Sequence, residues 1–154
     1  RLVGSEMCIR DRINMIFTIA TDYSQVTGLR HCNVSEGSGE DFYHSKLNEV
    51  FTKAYQEKEK LTLVLDGVLG GYTPSFLDEA IGNLVYDFGL DVVKSHLDVI
   101  SDRERQWVFL IKERTFPNWE ERRKNGKDPT ITKIHPAWYR LTKNGLEKKV
   151  WVQM

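Results

Sequence analysis

With 154 residues, the chain is sized for one domain plus a small appendage and can bury a substantial core. It has no apolar run near the roughly 18 residues a membrane span needs, and Cys8 and Cys32 make neither a disulfide framework nor a metal-ligand spacing; a soluble protein of the reducing cytoplasm is expected. The formal net charge of zero hides a split. Residues 13–111 carry 8 Lys and Arg against 15 Asp and Glu, and residues 112–153 carry 11 against 5. The acidic core and basic tail either present different surfaces or pair with one another.

Residues 1–12 are similar to a translated sequencing-adaptor peptide and are set aside as a non-native leader, the alternative being a disordered N-terminus. Met15 to Ala20 is β-branched and apolar, which predicts a strand. Leu29 to Val34 is expected as a second strand, paired with the first as a hairpin. After the loop Ser35-Glu36-Gly37-Ser38-Gly39, Ser38 and Asp41 have capping-box spacing, and the acids at 40 and 41 suit the positive end of a helix. Phe42, Leu47, Val50, Phe51 and Ala54 then recur at helical spacing.

Leu61 to Leu65 is the strongest strand, near-continuously apolar, and ends at Asp66-Gly67. Thr73-Pro74 marks a helix start, Leu77 through Phe88 supplies its buried stripe, and Gly89 stops it. A short helical piece over 91–96 leads to a strand at Leu97 to Ile100. Ser101 and Glu104 form a second capping box for a helix that Phe116-Pro117 is expected to break, leaving Glu120 to Pro129 as a charged loop. Asn144-Gly145 predicts a closing hairpin between 137–142 and 146–153. Helices alternating with strands argue for an α/β fold: one domain over 13–116 with a mixed β-sheet and helices packed on it, and a β-hairpin extension over 117–154.

Several segments carry a family likeness: Asp22-Tyr23-Ser24, Glu36 to Phe42, Leu65-Asp66-Gly67-Val68, and Ser75 to Ala80 with Gly82. In that order and at that spacing they resemble the STAS-like family of unknown function, over roughly residues 16–114. The wider STAS class is similar to the anti-sigma-factor antagonists, in which a hydroxyl at a helix N-terminus is phosphorylated by a partner kinase. The resemblance therefore implies a regulatory binding module with a protein partner, a kinase-like ATPase among the candidates. The expected phosphoacceptor position falls on Pro74, so Thr73 or Ser75 has to take its place.

The leading site is the loop and helix start of Gly70, Gly71, Tyr72, Thr73 and Ser75, with Asp78 on the following turn. Two glycines let a backbone approach a partner, and the helix start offers free N–H groups; an ordinary turn with an ordinary cap is the plain alternative. The second loop, Glu36, Ser38, Gly39 and Glu40, opens on the same groove if strand order allows. Asp66 is expected to bind backbone N–H groups. His31, His44, His96 and His135 share no ligand spacing, so no metal, no cofactor and no catalytic set are expected. The alternative function is nucleic-acid contact by Arg122, Arg123, Lys124 and Lys127 with Trp119, Trp138, Tyr139 and Trp151, against which stands a hairpin that buries its own aromatics.

Overall fold

The structure is a computed structural model that describes residues 15–154; the expected leader at 1–12 lies outside the described residues. Strand β1 (Ile16–Thr18) passes directly into a single helical turn, α1 (Ile19–Asp22). Strands β2 (Leu61–Val64) and β3 (Leu97–Ile100) follow, and the three form a sheet in the order β1-β2-β3, parallel throughout. Phe17 lies opposite Leu63, and Leu63 opposite Val99. This buried row faces the core, while Ile16, Asp98 and Ile100 point to solvent. The period of two is thus that of a sheet covered by helices on one side.

The expected α/β architecture with a hairpin extension is present, but the expected strand at 29–34 is not. That segment is a series of turns, so the sheet is parallel and not mixed. Its backbone is engaged elsewhere: Gly39 N donates to Leu29 O at 2.9 Å and Glu40 N to Arg30 O at 3.0 Å. These bonds fold the segment back on the next helix, and β1 takes β2 as its partner instead.

That helix, α2, runs over 39–56 as Gly39–Phe42, a π-helical turn Tyr43–Leu47, and Asn48–Gln56. It starts as its sequence predicts, with Asp41 N donating to Ser38 Oγ at 3.0 Å. Helix α3 (Pro74–Phe88) is capped by Thr73, whose Oγ1 accepts from Phe76 N at 3.2 Å. It is buried nearly all round, including Glu79, Asn83 and Asp87, which makes it the central helix of the domain. Helix α4 (Leu90–His96) then leads into β3.

Helix α5 spans 105–124 as Arg105–Leu110, a second π turn Ile111–Thr115, and Phe116–Lys124. The expected break at Phe116-Pro117 does not occur, and the expected loop from Glu120 is helical as far as Lys124. Proline breaks a helix by losing an N–H and colliding with the carbonyl four residues back; here it directly follows the wider π turn, which relieves that collision. Both π turns pack against α3. The chain closes with β4 (Trp138–Thr142) and β5 (Gly145–Lys149), antiparallel, with Leu141 opposite Leu146. Only Lys143 and Asn144 lie in the turn. Gly145, at φ +100°, begins the return strand in a conformation other residues avoid.

Candidate functional site

The strand β2 ends where its apolar run ends, and Leu65 and Asp66 start a loop that crosses the top of the sheet. Asp66 does not bind its own turn; it reaches the loop after β3. Its carboxylate accepts from Asp102 N (2.8 Å), Arg103 N (2.9 Å) and Ser101 Oγ (2.7 Å). These donors, the Asp102 N–H first among them, hold its pKa below the usual carboxylate range. Asp66 therefore ties two loops together, as a structural carboxylate. Ser101 Oγ accepts in turn from Glu104 N at 2.6 Å, so the second capping pair forms one turn before α5 begins.

Beyond Asp66 the loop rises to a crest. Leu69 is 60% exposed, and Gly70 and Gly71 follow at φ +76° and +77° with open space at Gly70. A backbone in this region tolerates glycine best, and it brings the chain back toward α3 without side chains in the way. Tyr72, expected as a docking residue, is turned inward: it is buried, and its hydroxyl donates to Leu65 O at 2.6 Å. Thr73 is also engaged, capping α3 and donating to Gly28 O at 3.2 Å. Ser75, half-buried in the first turn of α3, touches only Thr73 Oγ1, at 3.3 Å.

Asp78 proves to be a clamp. Its Oδ2 accepts from Arg30 Nη1 (2.7 Å) and Trp119 Nε1 (3.1 Å), and its Oδ1 from Thr115 Oγ1 (3.1 Å). It thereby joins the 29–34 turns to α3 and α5. Beside it lies a groove of about 300 Å³ between the starts of α3 and α5, with Pro74, Leu77, Trp107 and Leu110 as apolar lining and Arg30 and Arg114 at the polar end. The first part of α5, Arg105–Leu110, contains no buried residue, and Phe109 is 62% exposed. Trp107, Val108 and Leu110 of this stretch are half-buried, Trp107 and Val108 against the core.

The second loop does not join this groove. Ser38, Gly39 and Glu40 are buried, leaving Glu36 exposed. A side chain at Gly39 would meet the backbone carbonyl of Phe76, so the starts of α2 and α3 pack in direct contact. Glu40, fully buried, accepts from Cys32 N (3.1 Å), Thr132 Oγ1 (2.6 Å) and Thr132 N (3.0 Å), and pairs with His135 Nε2 (2.7 Å) and His31 Nδ1 (3.3 Å). Burial alone would raise its pKa; hydrogen bonds from His135, Thr132 and Cys32 outweigh burial and hold it well below the usual range. This cluster was invisible to ligand spacing in the sequence, because Glu40 and His135 stand far apart in the chain.

Part of the basic C-terminal segment is engaged within the protein, while Lys124 and Lys127 are exposed. Arg122 stacks over Trp119 and donates to the carbonyls of Lys127 and Asp128; Arg123 pairs with Glu120 at 2.6 Å. Trp119 and Trp138 are buried, and Trp151 lies under Arg140 and Lys149. Arg140 pairs at 2.7 Å with buried Asp87. Of the four aromatics that nucleic-acid stacking would use, Trp119 and Trp138 are buried and Tyr139 and Trp151 are half-buried.

Residues 38–106 match the family model of a STAS-like domain of unknown function (DUF4325), a segment holding α2, β2, α3, α4, β3 and the first residues of α5. No curated protein and no solved structure matches the chain. No helix among the described residues is long and apolar enough to cross a membrane.

Proposed function

We propose, from the premise of a STAS-like core over residues 38–106, that this is a non-enzymatic regulatory module. It docks a protein partner across the Leu69-Gly70-Gly71 crest, the first turn of α3 and the groove shared with α5. The observation that carries the reading is the groove lined by Pro74, Leu77, Trp107 and Leu110 between the starts of α3 and α5, with exposed Leu69 on the crest and exposed Phe109 on α5. The nearby carboxylates Asp66 and Asp78 support binding over catalysis, since each is engaged by three structural donors.

Phosphorylation fits Ser75 better than Thr73. Thr73 spends its hydroxyl on the helix cap and on Gly28, whereas Ser75 has only Thr73 as a contact. A phosphate in the first turn of α3 would be favoured by the positive end of the helix and would change the charge of the docking surface. The partner class is a protein kinase-like ATPase acting on that serine.

The test is capture of partners by wild type and by Leu69→Glu and Ser75→Glu variants with unchanged melting temperature. A partner recovered by wild type and lost with either variant supports the reading. A partner retained by both variants, or recovery of nucleic acid alone, removes it.

A further inference from the structure

The Glu40 cluster is the part of the molecule that the docking surface leaves unexplained. Glu40 is fully buried, yet neither of its oxygens meets a lysine or arginine among the described residues. Arg30, close by, gives its Nη1 to Asp78 and Glu79. Five groups converge on the Glu40 carboxylate, which has about four lone-pair sites. Buried charge is costly unless it is paired, and the groups here that could neutralise Glu40 are the imidazoles of His135 and His31.

Three of those side chains are metal ligands of different kinds. Cys32 Sγ, a Glu40 oxygen and His135 Nε2 lie within 4.8 Å of one another. A tetrahedral zinc-type site, with bonds of about 2.0–2.3 Å, needs ligand atoms about 3.3–3.8 Å apart, so small side-chain shifts close the gap. The outer partners that orient ligands are in place: Ser38 Oγ contacts Cys32 Sγ at 3.3 Å, and Thr132 holds both Glu40 oxygens. His44 stacks on His135 with ring centres 4.0 Å apart and an interplanar angle of 15°. Both His44 nitrogens are buried without a hydrogen-bond partner. Its ring is a plate that fixes the orientation of the His135 ring. An open cleft of about 270 Å³ lined by Cys32, Ser35, Asp41 and Lys133 reaches the Cys32 side of the cluster.

We infer that Cys32 Sγ, Glu40 and His135 Nε2 form a site for one zinc-like divalent transition-metal ion, whose binding clamps the 130–137 segment onto the start of α2. Two anionic ligands and one neutral imidazole would balance the ion's charge. Binding displaces the Cys32 thiol proton to solvent and requires His135 with Nε2 unprotonated. The cleft side of the ion keeps a fourth position for water.

The experiment uses the full chain with Cys8→Ser, so that the only thiol is Cys32, titrated with cobalt(II) alone and then with zinc. One equivalent of cobalt should give a thiolate charge-transfer band and tetrahedral visible bands, and zinc should displace it and raise the melting temperature. Cys32→Ser should abolish the charge-transfer band and, like His135→Gln, weaken zinc binding at least about 10-fold to 100-fold. His44→Phe should keep the site. The inference is overturned if the folded chain gives no thiolate band and no zinc-dependent shift in melting temperature. It is equally overturned if cobalt and zinc binding survive both ligand substitutions. Circular dichroism on each variant separates loss of ligand from loss of fold.

Discussion

Asn48 holds Tyr139 by both of its backbone groups: Asn48 Nδ2 donates to Tyr139 O at 2.9 Å, and Tyr139 N donates to Asn48 Oδ1 at 2.9 Å. One side-chain amide thus stands in for a neighbouring strand and anchors β4 to α2. The same Nδ2 donates to Tyr43 Oη at 2.9 Å, and Tyr43 donates to Asp87 at 2.5 Å. The hairpin is therefore wired to the central helix through two side chains of α2 and directly through Arg140.

Removing that amide should loosen the hairpin more than the rest of the domain. Asn48→Ala leaves a backbone N–H and C=O unpaired in a half-buried place, at a cost of about 2–3 kcal/mol. Denaturant melts should show that loss, and hydrogen exchange should show it first at 138–149.

Asp87 gives the domain an unusual pH response. Burial raises its pKa to about 6, against the opposing pull of Arg140 and the Tyr43 hydrogen bond, from an ordinary 3.8. The folded state then holds the proton more tightly than the unfolded chain, so stability from this group is full below about pH 4 and is lost as pH rises through 6. Asp87→Asn should gain on wild type by about 2–3 kcal/mol between pH 4 and 7. Equal pH slopes for the two proteins across that window would contradict it.

Gly82 is where α3 and α5 touch. A Cβ there would fall inside the Trp119 ring, so Gly82→Ala must push the helices apart or turn the indole. We expect a loss of about 2–3 kcal/mol, with a shift in tryptophan emission as Trp119 gives up its bond to Asp78. A variant as stable as wild type would mean that the helices separate freely.

Tyr72→Phe distinguishes support from docking. It removes only the hydroxyl that donates to Leu65 O, and the expected cost is about 1 kcal/mol. Partner capture should be unchanged by Tyr72→Phe and lost with Leu69→Glu. Loss of the partner in a stably folded Tyr72→Phe protein would put the tyrosine in the interface.

What was legible in the sequence was local. The caps at Ser38 and Thr73, the strands at 61–65 and 97–100 and the closing hairpin each depend on residues within a few positions of one another. What was not legible depends on distant partners. Arg30 and His31 read as strand residues until the carboxylates of α2 and α3 are placed beside them. Tyr72 reads as an exposed loop aromatic because nothing nearby in sequence says that Leu65 O awaits a donor. Pro117 reads as a helix breaker because the π turn before it has no clear sequence sign. The Gly70-Gly71 crest was legible from its glycines; the Glu40 cluster, assembled from three separate segments, was not.

The two π turns set helical phase. Each carries one polar side chain from its wider turn to a carboxylate of α3, Tyr43 to Asp87 and Thr115 to Asp78. The Asn48 N–H reaches back five residues to Tyr43 O, so the wide turn takes up one residue more than an α-helical turn and leaves Asn48 facing Tyr139. Wound as a regular α-helix, which advances about 100° per residue, the same residues would carry Asn48 about that far around the axis, and the hairpin would lose its mooring although every one of its own residues was intact. A one-residue deletion within the wide turn would close it to a regular helix and keep Asn48 in place, so the extra residue and the wide turn belong together.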